Sequence, residues 1–141
     1  MSAATLHVDI VSAEGEIFAG EAKMVFLPAS EGEIGVAPRH APLLTLLKAG
    51  EVRVQPVDGD ELSFYVGGGA LEVQPRRVTV LADTAARAAD LDEAAAEAAR
   101  QRAEEALAGK IDKIEQAEAL AELARAAAQL KLIQRLRKIK G

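Results

Sequence analysis

From Ala85 to the end, the chain contains no proline and only two glycines, Gly109 and Gly141, whereas the residues before it are interrupted by glycine or proline every few positions. This change of punctuation constrains the fold more than any motif does. Frequent turn residues permit only short segments, while their absence permits long helices. Up to about Thr84 the apolar residues come in short runs that alternate with polar ones, as in "LHVDIV", "EVRVQ", "ELSFYV" and "RVTVL", with Gly15, Gly20, Gly32, Gly35, Gly50, Gly59, the triplet Gly67 to Gly69 and Pro75 between them. Alternation at period two turns one side of a strand toward a core. Many short strands separated by turn signals predict an all-β sandwich or barrel. Beyond Ala85 alanine, glutamate, leucine, arginine and lysine dominate, which is the composition of helices.

Gly109 divides the helical half. Asp90 followed by Glu93 has the form of a capping box with Asp in place of Ser or Thr, and Asp112 with Glu115 repeats it. The expected helices span about 91–108 and 113–139, joined by a short glycine turn into an antiparallel hairpin. A ridge at Ala95, Ala99, Ala103 and Ala106 faces the partner from the first; Leu123, Ala127, Leu130 and Ile133 have helical spacing on the second. The expected fold class is therefore α+β, with a sandwich domain over residues 1–86 and a helical hairpin domain over 87–141. A buried alanine methyl contributes about 0.8 kcal/mol and a buried leucine about 1.5–3, so a hairpin faced with alanine is held together weakly. Alanine's high helix propensity lets each helix persist if the pair separates, and the sequence describes a movable arm on a β platform.

Composition excludes several function classes. A chain of 141 residues, half of them apolar, holds one domain or one domain with an appendage. With no cysteine, disulfides, zinc-cysteinate sites and thiol catalysis are ruled out together. No apolar run approaches the roughly 20 residues of a membrane span, and "MSAATLHVDIV" lacks the basic lead and apolar stretch of a signal peptide, so a cytoplasmic protein is expected. A net charge of −5 and only four aromatics, Phe18, Phe26, Phe64 and Tyr65, argue against nucleic-acid binding. Charge is nevertheless segregated. Asp90 to Glu122 holds ten acids and four bases, and beyond Glu122 come Arg125, Lys131, Arg135, Arg137, Lys138 and Lys140 with no acid. A cationic helix end complements the helix dipole, but six bases exceed that need and suit an acidic surface, whether a protein, anionic lipid or nucleic acid.

Catalytic constellations are sparse. His7 and His40 are the only histidines, and neither has a zinc hydrolase's spacing. The triplet in "GGGA" lacks the Lys-Ser/Thr of a phosphate loop and suits a bulge or close backbone packing in a sheet. In "SEGEIGVAPRHAPLLT", Glu31, Glu33 and His40 have the residue types for acid/base chemistry, yet no nucleophile or metal site completes a mechanism. The expectation is a protein that is not an enzyme and holds no metal or cofactor.

Four blocks in order, "LHVDIVSAEGEIFAGEA", "SEGEIGVAPRHAPLLT", "GGALEVQPRRVTVLADTA" running into "RAADLDEA", and "AELARAAAQLK" in the last helix, closely resemble the epsilon subunit of bacterial F-type ATP synthases over nearly the whole chain. The resemblance implies a sandwich of about ten strands and a two-helix domain. It implies a non-catalytic rotor subunit of the central stalk, bound to gamma, seated on the c-ring at the cytoplasmic face of the inner membrane, and restraining ATP hydrolysis through its helices. Glu31, Glu33 and His40 are then ring-contact residues, and Arg125, Lys131, Arg135 and Lys138 approach the alpha and beta subunits. Arg39 stands where many members have glycine. The family's nucleotide motif, Ile/Leu-Asp-x-x-Arg-Ala, falls on Leu91 to Ala96 with Ala95 in place of arginine, leaving Asp92, Arg87 and Arg125 as the residues for ATP and implying weak binding or none. A different class remains open: a stand-alone sandwich adaptor that binds acidic partners through its basic helix.

Overall fold

The computed structural model describes residues 4–140. The chain divides into two compact units between Arg87 and Ala88. The first holds seven strands: β1 (Leu6–Ser12), β2 (Gly15–Ala29), β3 (Gly32–Val36), β4 (Leu43–Pro56), β5 (Leu62–Gln74), β6 (Arg77–Ala82) and β7 (Ala85–Arg87). Their order is β1-β6-β5-β4-β2-β3, and β1 pairs with β2 as well. Five strands thus close on themselves, while β3 is added to β2 and β7 to β5. The β1–β6 pairing is parallel and the others antiparallel.

The expected sandwich of about ten strands is built from seven elements because β2, β4 and β5, of 15, 14 and 13 residues, bend through corners instead of stopping. Burial along β4 and β5 locates one corner. On β4 the buried residues change from odd-numbered Leu47 to even-numbered Val52 and Val54, and on β5 from even-numbered Phe64 and Val66 to odd-numbered Leu71 and Val73. The register stays in step throughout, with Leu47 opposite Gly69 and Ala49 opposite Gly67. Both strands therefore rotate together. One half of β5 pairs with β6 and the other with β7, and each half turns its apolar side inward.

Glycine makes that corner possible. Gly68 and Gly69 have φ of 102° and 137°, and a Cβ on Gly69 would lie 2.1 Å from the Leu81 carbonyl oxygen and 2.9 Å from the Ala82 Cα. The triplet is a close backbone approach in a sheet, one of the two forms expected of it. The interior is aliphatic: Leu6, Val8 and Ile10 of β1 meet Val78 and Val80 of β6, and the two halves of β4 and β5 complete one continuous core.

The second unit begins with a 3-10 turn, Ala88–Asp90, followed by α1 (Glu93–Ala108) and α2 (Lys113–Lys140). Arg102 pairs with Glu122 at 3.3 Å and Arg137 pairs with Glu93, so the helices run antiparallel. The second expected cap is present, since the Asp112 carboxylate accepts the Glu115 N–H at 2.7 Å. The first is corrected. The chain around Asp90 turns as a 3-10 helix, with the Leu91 N–H bonded to the Ala88 carbonyl, and Asp92 becomes the N-cap, accepting the Ala95 N–H at 3.1 Å. Two aspartates two residues apart satisfy the same short capping reach, and the preceding turn selects between them. The buried ridges shift too. Ala96 and Ala103 are buried on α1 while Ala95 and Ala106 are exposed, and on α2 Ala126 replaces Ala127 beside Ala119, Leu130 and Leu132. Within runs such as Ala94 to Ala96 and Ala126 to Ala128, neighbouring alanines offer equal helical phases, so periodicity alone does not select the buried one.

Gly69→Ala should destabilise the sandwich by about 3 kcal/mol or more, since a strained φ and a backbone clash combine. Gly59→Ala, at φ 95° with open space around the added Cβ, should cost only about 1–2 kcal/mol of strain. Urea unfolding of the two variants measures the difference; equal losses would show that the β5–β6 approach is not tight.

Candidate partner-contact surfaces

The segment between β3 and β4, residues 37–42, is a loop held from two sides. The Arg39 N–H donates to the Pro75 carbonyl at 2.7 Å, and the His40 N–H to the Ala37 carbonyl at 3.2 Å. Arg39 lies at φ 69°, the one non-glycine residue with positive φ among the described residues. That conformation costs an L-residue about 1–2 kcal/mol, which gives a physical reason for glycine at this place. The His40 ring is half-buried, with Nδ1 2.7 Å from the Ala41 carbonyl; a carbonyl only accepts, so Nδ1 carries the proton and Nε2 is left for a partner.

Glu33 lies on β3 opposite Pro28 and is held by Arg53 of β4 at 3.2 Å. Arg53 also reaches Glu61 at 3.7 Å and covers the Phe26 ring at 4.3 Å. Glu31 is exposed in the β2–β3 turn, next to Ser30, whose N–H is bonded to the Leu46 carbonyl. Among the described residues no hydrogen bond joins His40 to either glutamate. The arrangement is one of separate polar groups, and these three side chains form no acid/base pair with one another.

Two features went unseen in the sequence. Leu46, Ala70 and Leu81 are direct cross-strand neighbours on β4, β5 and β6, and Leu44 lies two residues before Leu46 on the same face. Leu44, Leu46 and Leu81 are 74%, 66% and 56% exposed. A contiguous row of exposed leucines on the outside of a filled ring is a candidate contact surface. The run "LLTLL" was its only linear trace. The second feature is polar. His7 Nδ1 lies 2.8 Å from Glu21, its Nε2 lies 3.0 Å from Asp9, and Arg77 holds the other oxygen of Asp9 at 2.7 Å. The Glu21 hydrogen bond raises the His7 pKa; burial, the next largest effect, opposes it, and the hydrogen bond and charge of Asp9 add to the rise. The same bond to His7 lowers the pKa of Glu21.

On the helices, Arg125 is half-buried and Lys131 and Lys138 are exposed, while Arg137 is already engaged with Glu93. The candidate nucleotide residues have structural duties. Asp92 caps α1, and Arg87, in the sandwich unit, reaches the Ile17 carbonyl at 3.4 Å and lies over the Phe64 ring at 5.7 Å. Among the described residues no three His, Asp or Glu side chains are grouped to hold a metal ion. No helix among them is long and apolar enough to cross a membrane.

Residues 5–88 match the beta-sandwich domain of the ATP synthase delta/epsilon chain, and residues 89–134 match its long alpha-helix domain. This chain belongs to the ATP synthase epsilon chain family. It is 65% identical over 139 residues to the ATP synthase epsilon chain of Nitrosococcus oceani, covering 99% of each chain. It is 63% identical over 134 residues to that of Alkalilimnicola ehrlichii, covering 95% of this chain and 96% of the relative. The epsilon-family fold extends to distant solved structures. One is a chain of the Euglena gracilis mitochondrial ATP synthase OSCP/F1/c-ring assembly, with TM-score 0.70 and 17% identity, covering 100% of this chain and 84% of that one. Another comes from the Tetrahymena thermophila mitochondrial ATP synthase central stalk and c-ring, with TM-score 0.64 and 13% identity, covering 94% and 99%. Membership in the epsilon family leaves the stand-alone adaptor without support.

The His7 cluster generates a pH dependence. Because the folded pKa of His7 is raised above the ordinary 6.5, its contribution is fully present below that value and is lost as pH rises through the folded one. Glu21, with a lowered pKa, contributes above the ordinary carboxylate range and loses that contribution as pH falls through its folded value. The melting temperature should therefore fall as pH rises above about 6.5, by a few degrees at most for so exposed a cluster. His7→Gln should flatten that part of the curve; an unchanged slope would assign the dependence to another group.

Proposed function

We propose that this chain is a non-catalytic rotor subunit of the ATP synthase central stalk, which couples ion translocation to ATP synthesis and restrains ATP hydrolysis. Its sandwich docks on gamma and on the c-ring at the cytoplasmic face of the inner membrane. Glu31, Glu33 and His40 meet the polar loops of the ring, and the leucine row on β4 and β6 is suited to the stalk. Arg125, Lys131, Arg135 and Lys138 on α2 approach acidic segments of the alpha and beta subunits. The reading rests on one contrast within the chain: a closed sandwich with an aliphatic core is followed by a hairpin whose buried side chains are mostly alanine.

That contrast suits a brake. The inter-helix pairs Arg102–Glu122 and Arg137–Glu93 are exposed and each contributes no more than about 1 kcal/mol, so the helices exchange partners at low cost and keep their helical form. Removing everything after Ala89 should preserve assembly and raise ATP hydrolysis. Replacing Arg125, Lys131, Arg135 and Lys138 by alanine should reproduce part of that rise, and added salt should imitate it through screening. Hydrolysis assays on the reconstituted complex decide the matter, and unchanged hydrolysis in the truncated enzyme would leave a rotor subunit without a brake.

The chain works without a bound cofactor in this reading. Ala95 lacks the planar donor fork of arginine, and a lost charge-assisted contact costs about 1.5–3 kcal/mol, roughly one to two orders of magnitude in affinity. Calorimetry with ATP should give weak binding or none. Micromolar binding would show that Arg87, Arg125 or another group replaces the missing arginine.

A further inference from the structure

At one end of the ring, three segments are tied together through their backbones. The Arg39 N–H donates to the Pro75 carbonyl at 2.7 Å and the His7 N–H to the Arg76 carbonyl at 2.8 Å. The β5–β6 turn thereby carries Arg76 and Arg77 to the same tip as Arg39, beside a cleft of about 470 Å³ lined by His7, Gln74, Pro75, Arg76 and Arg77. The cations at this tip differ in one respect. Arg77 is bound to Asp9, and His7 lies between Asp9 and Glu21. The nearby Glu72 carboxylate accepts from Gln74 at 3.2 Å. Arg39 and Arg76 are exposed, and among the described residues their side chains have neither an ion pair nor a hydrogen bond. A chain of net charge −5 thus places two exposed arginines on segments joined by a backbone hydrogen bond, one of them on a backbone conformation that disfavours a side chain.

We propose that Arg39 and Arg76 form a two-pronged carboxylate receptor that grips acidic side chains of the protein segment receiving this end of the sandwich. The location of that segment, a polar loop of the c-ring, rests on the ring-contact reading above. The character of the site selects a protein carboxylate over a bilayer. Adhesion to anionic lipid sums many flexible basic residues, and two arginines at a tip stiffened by Pro38, Pro42 and Pro75 make a poor adhesive. A guanidinium presents a planar fork that matches a carboxylate with two parallel hydrogen bonds, and the rigidity of that fork limits the freedom lost per hydrogen bond formed. Arginine is also among the residues enriched at the energetic centres of protein–protein contacts.

The test uses the assembled complex stripped of this subunit, with the full-length chain added back and ATP-driven ion pumping as the readout. Arg39→Glu with Arg76→Glu should weaken restoration roughly tenfold or more. The wild-type chain should lose affinity with added salt more steeply than the double variant does. Arg39→Gly relieves the backbone and removes one charge, so its melting temperature should be unchanged or higher while its affinity falls, which separates the contact from folding. His40→Cys reports the location by cross-linking to the c-ring loop. With the cross-link formed, wild-type affinity in the double variant would overturn the receptor and leave the ring contact standing. With the cross-link absent, affinity that still depends on the two arginines would uphold the receptor and overturn the ring contact. Binding of the wild-type chain to phosphatidylglycerol vesicles that the double variant loses would overturn the proposal in favour of lipid.

Discussion

The parallel pairing of β1 with β6 closes the sheet, and most of what matters in the sandwich follows from that closure. β1 lies between β2 and β6, so neither of its edges is open to a foreign strand. Closure also turns the inward apolar sets of the strands to one interior, where Leu6, Val8 and Ile10 are fully buried. To close without a gap, β4 and β5 must bend together, and Gly69 allows the approach to Leu81 that the bend requires. The β5–β6 turn that results is the anchor to which Arg39 is bonded through Pro75. The geometry of the candidate contact loop is thus a consequence of how the ring is completed.

The two units follow different physics. Burying a branched aliphatic side chain contributes about 1.5–3 kcal/mol and an alanine methyl about 0.8, and the sandwich interior is built from the former while the hairpin relies on Ala96, Ala103, Ala119 and Ala126 with Leu130 and Leu132. Helix propensity supplies the hairpin with local order that does not depend on long-range packing. A sandwich with an aliphatic core and a helix pair with little holding it in one arrangement suit the rotor and brake proposed above.

Surface chemistry carries the rest. Glu33 is held on β3 by an arginine that also covers an aromatic face, and His40 is turned by its own loop so that one nitrogen remains available. Each is a polar group fixed by its neighbours, as the proposed contact role requires. The leucine row is different in kind, because it stays exposed on a fold whose interior is already complete.

Much of this was legible in the linear chain. Turn punctuation separated strands from helices, alternation gave the inward sets of β1 and β6, and Asp112 with Glu115 marked the start of α2, because these signals act over a few residues. The four family-like blocks carried identity for the same reason. Local rules stopped where two choices were locally equal: Asp90 or Asp92 as the cap, Ala126 or Ala127 as the buried methyl. Only the tertiary structure decided those, along with the register that aligns Leu46 with Leu81, the backbone bond that brings Arg39 to the β5–β6 turn, and the meeting of His7 with Glu21. Each joins residues far apart in sequence, and such contacts are set by how the ring closes. The sequence by itself determined which segments alternate, which are helical and where the charges lie; three-dimensional closure determined which of them meet.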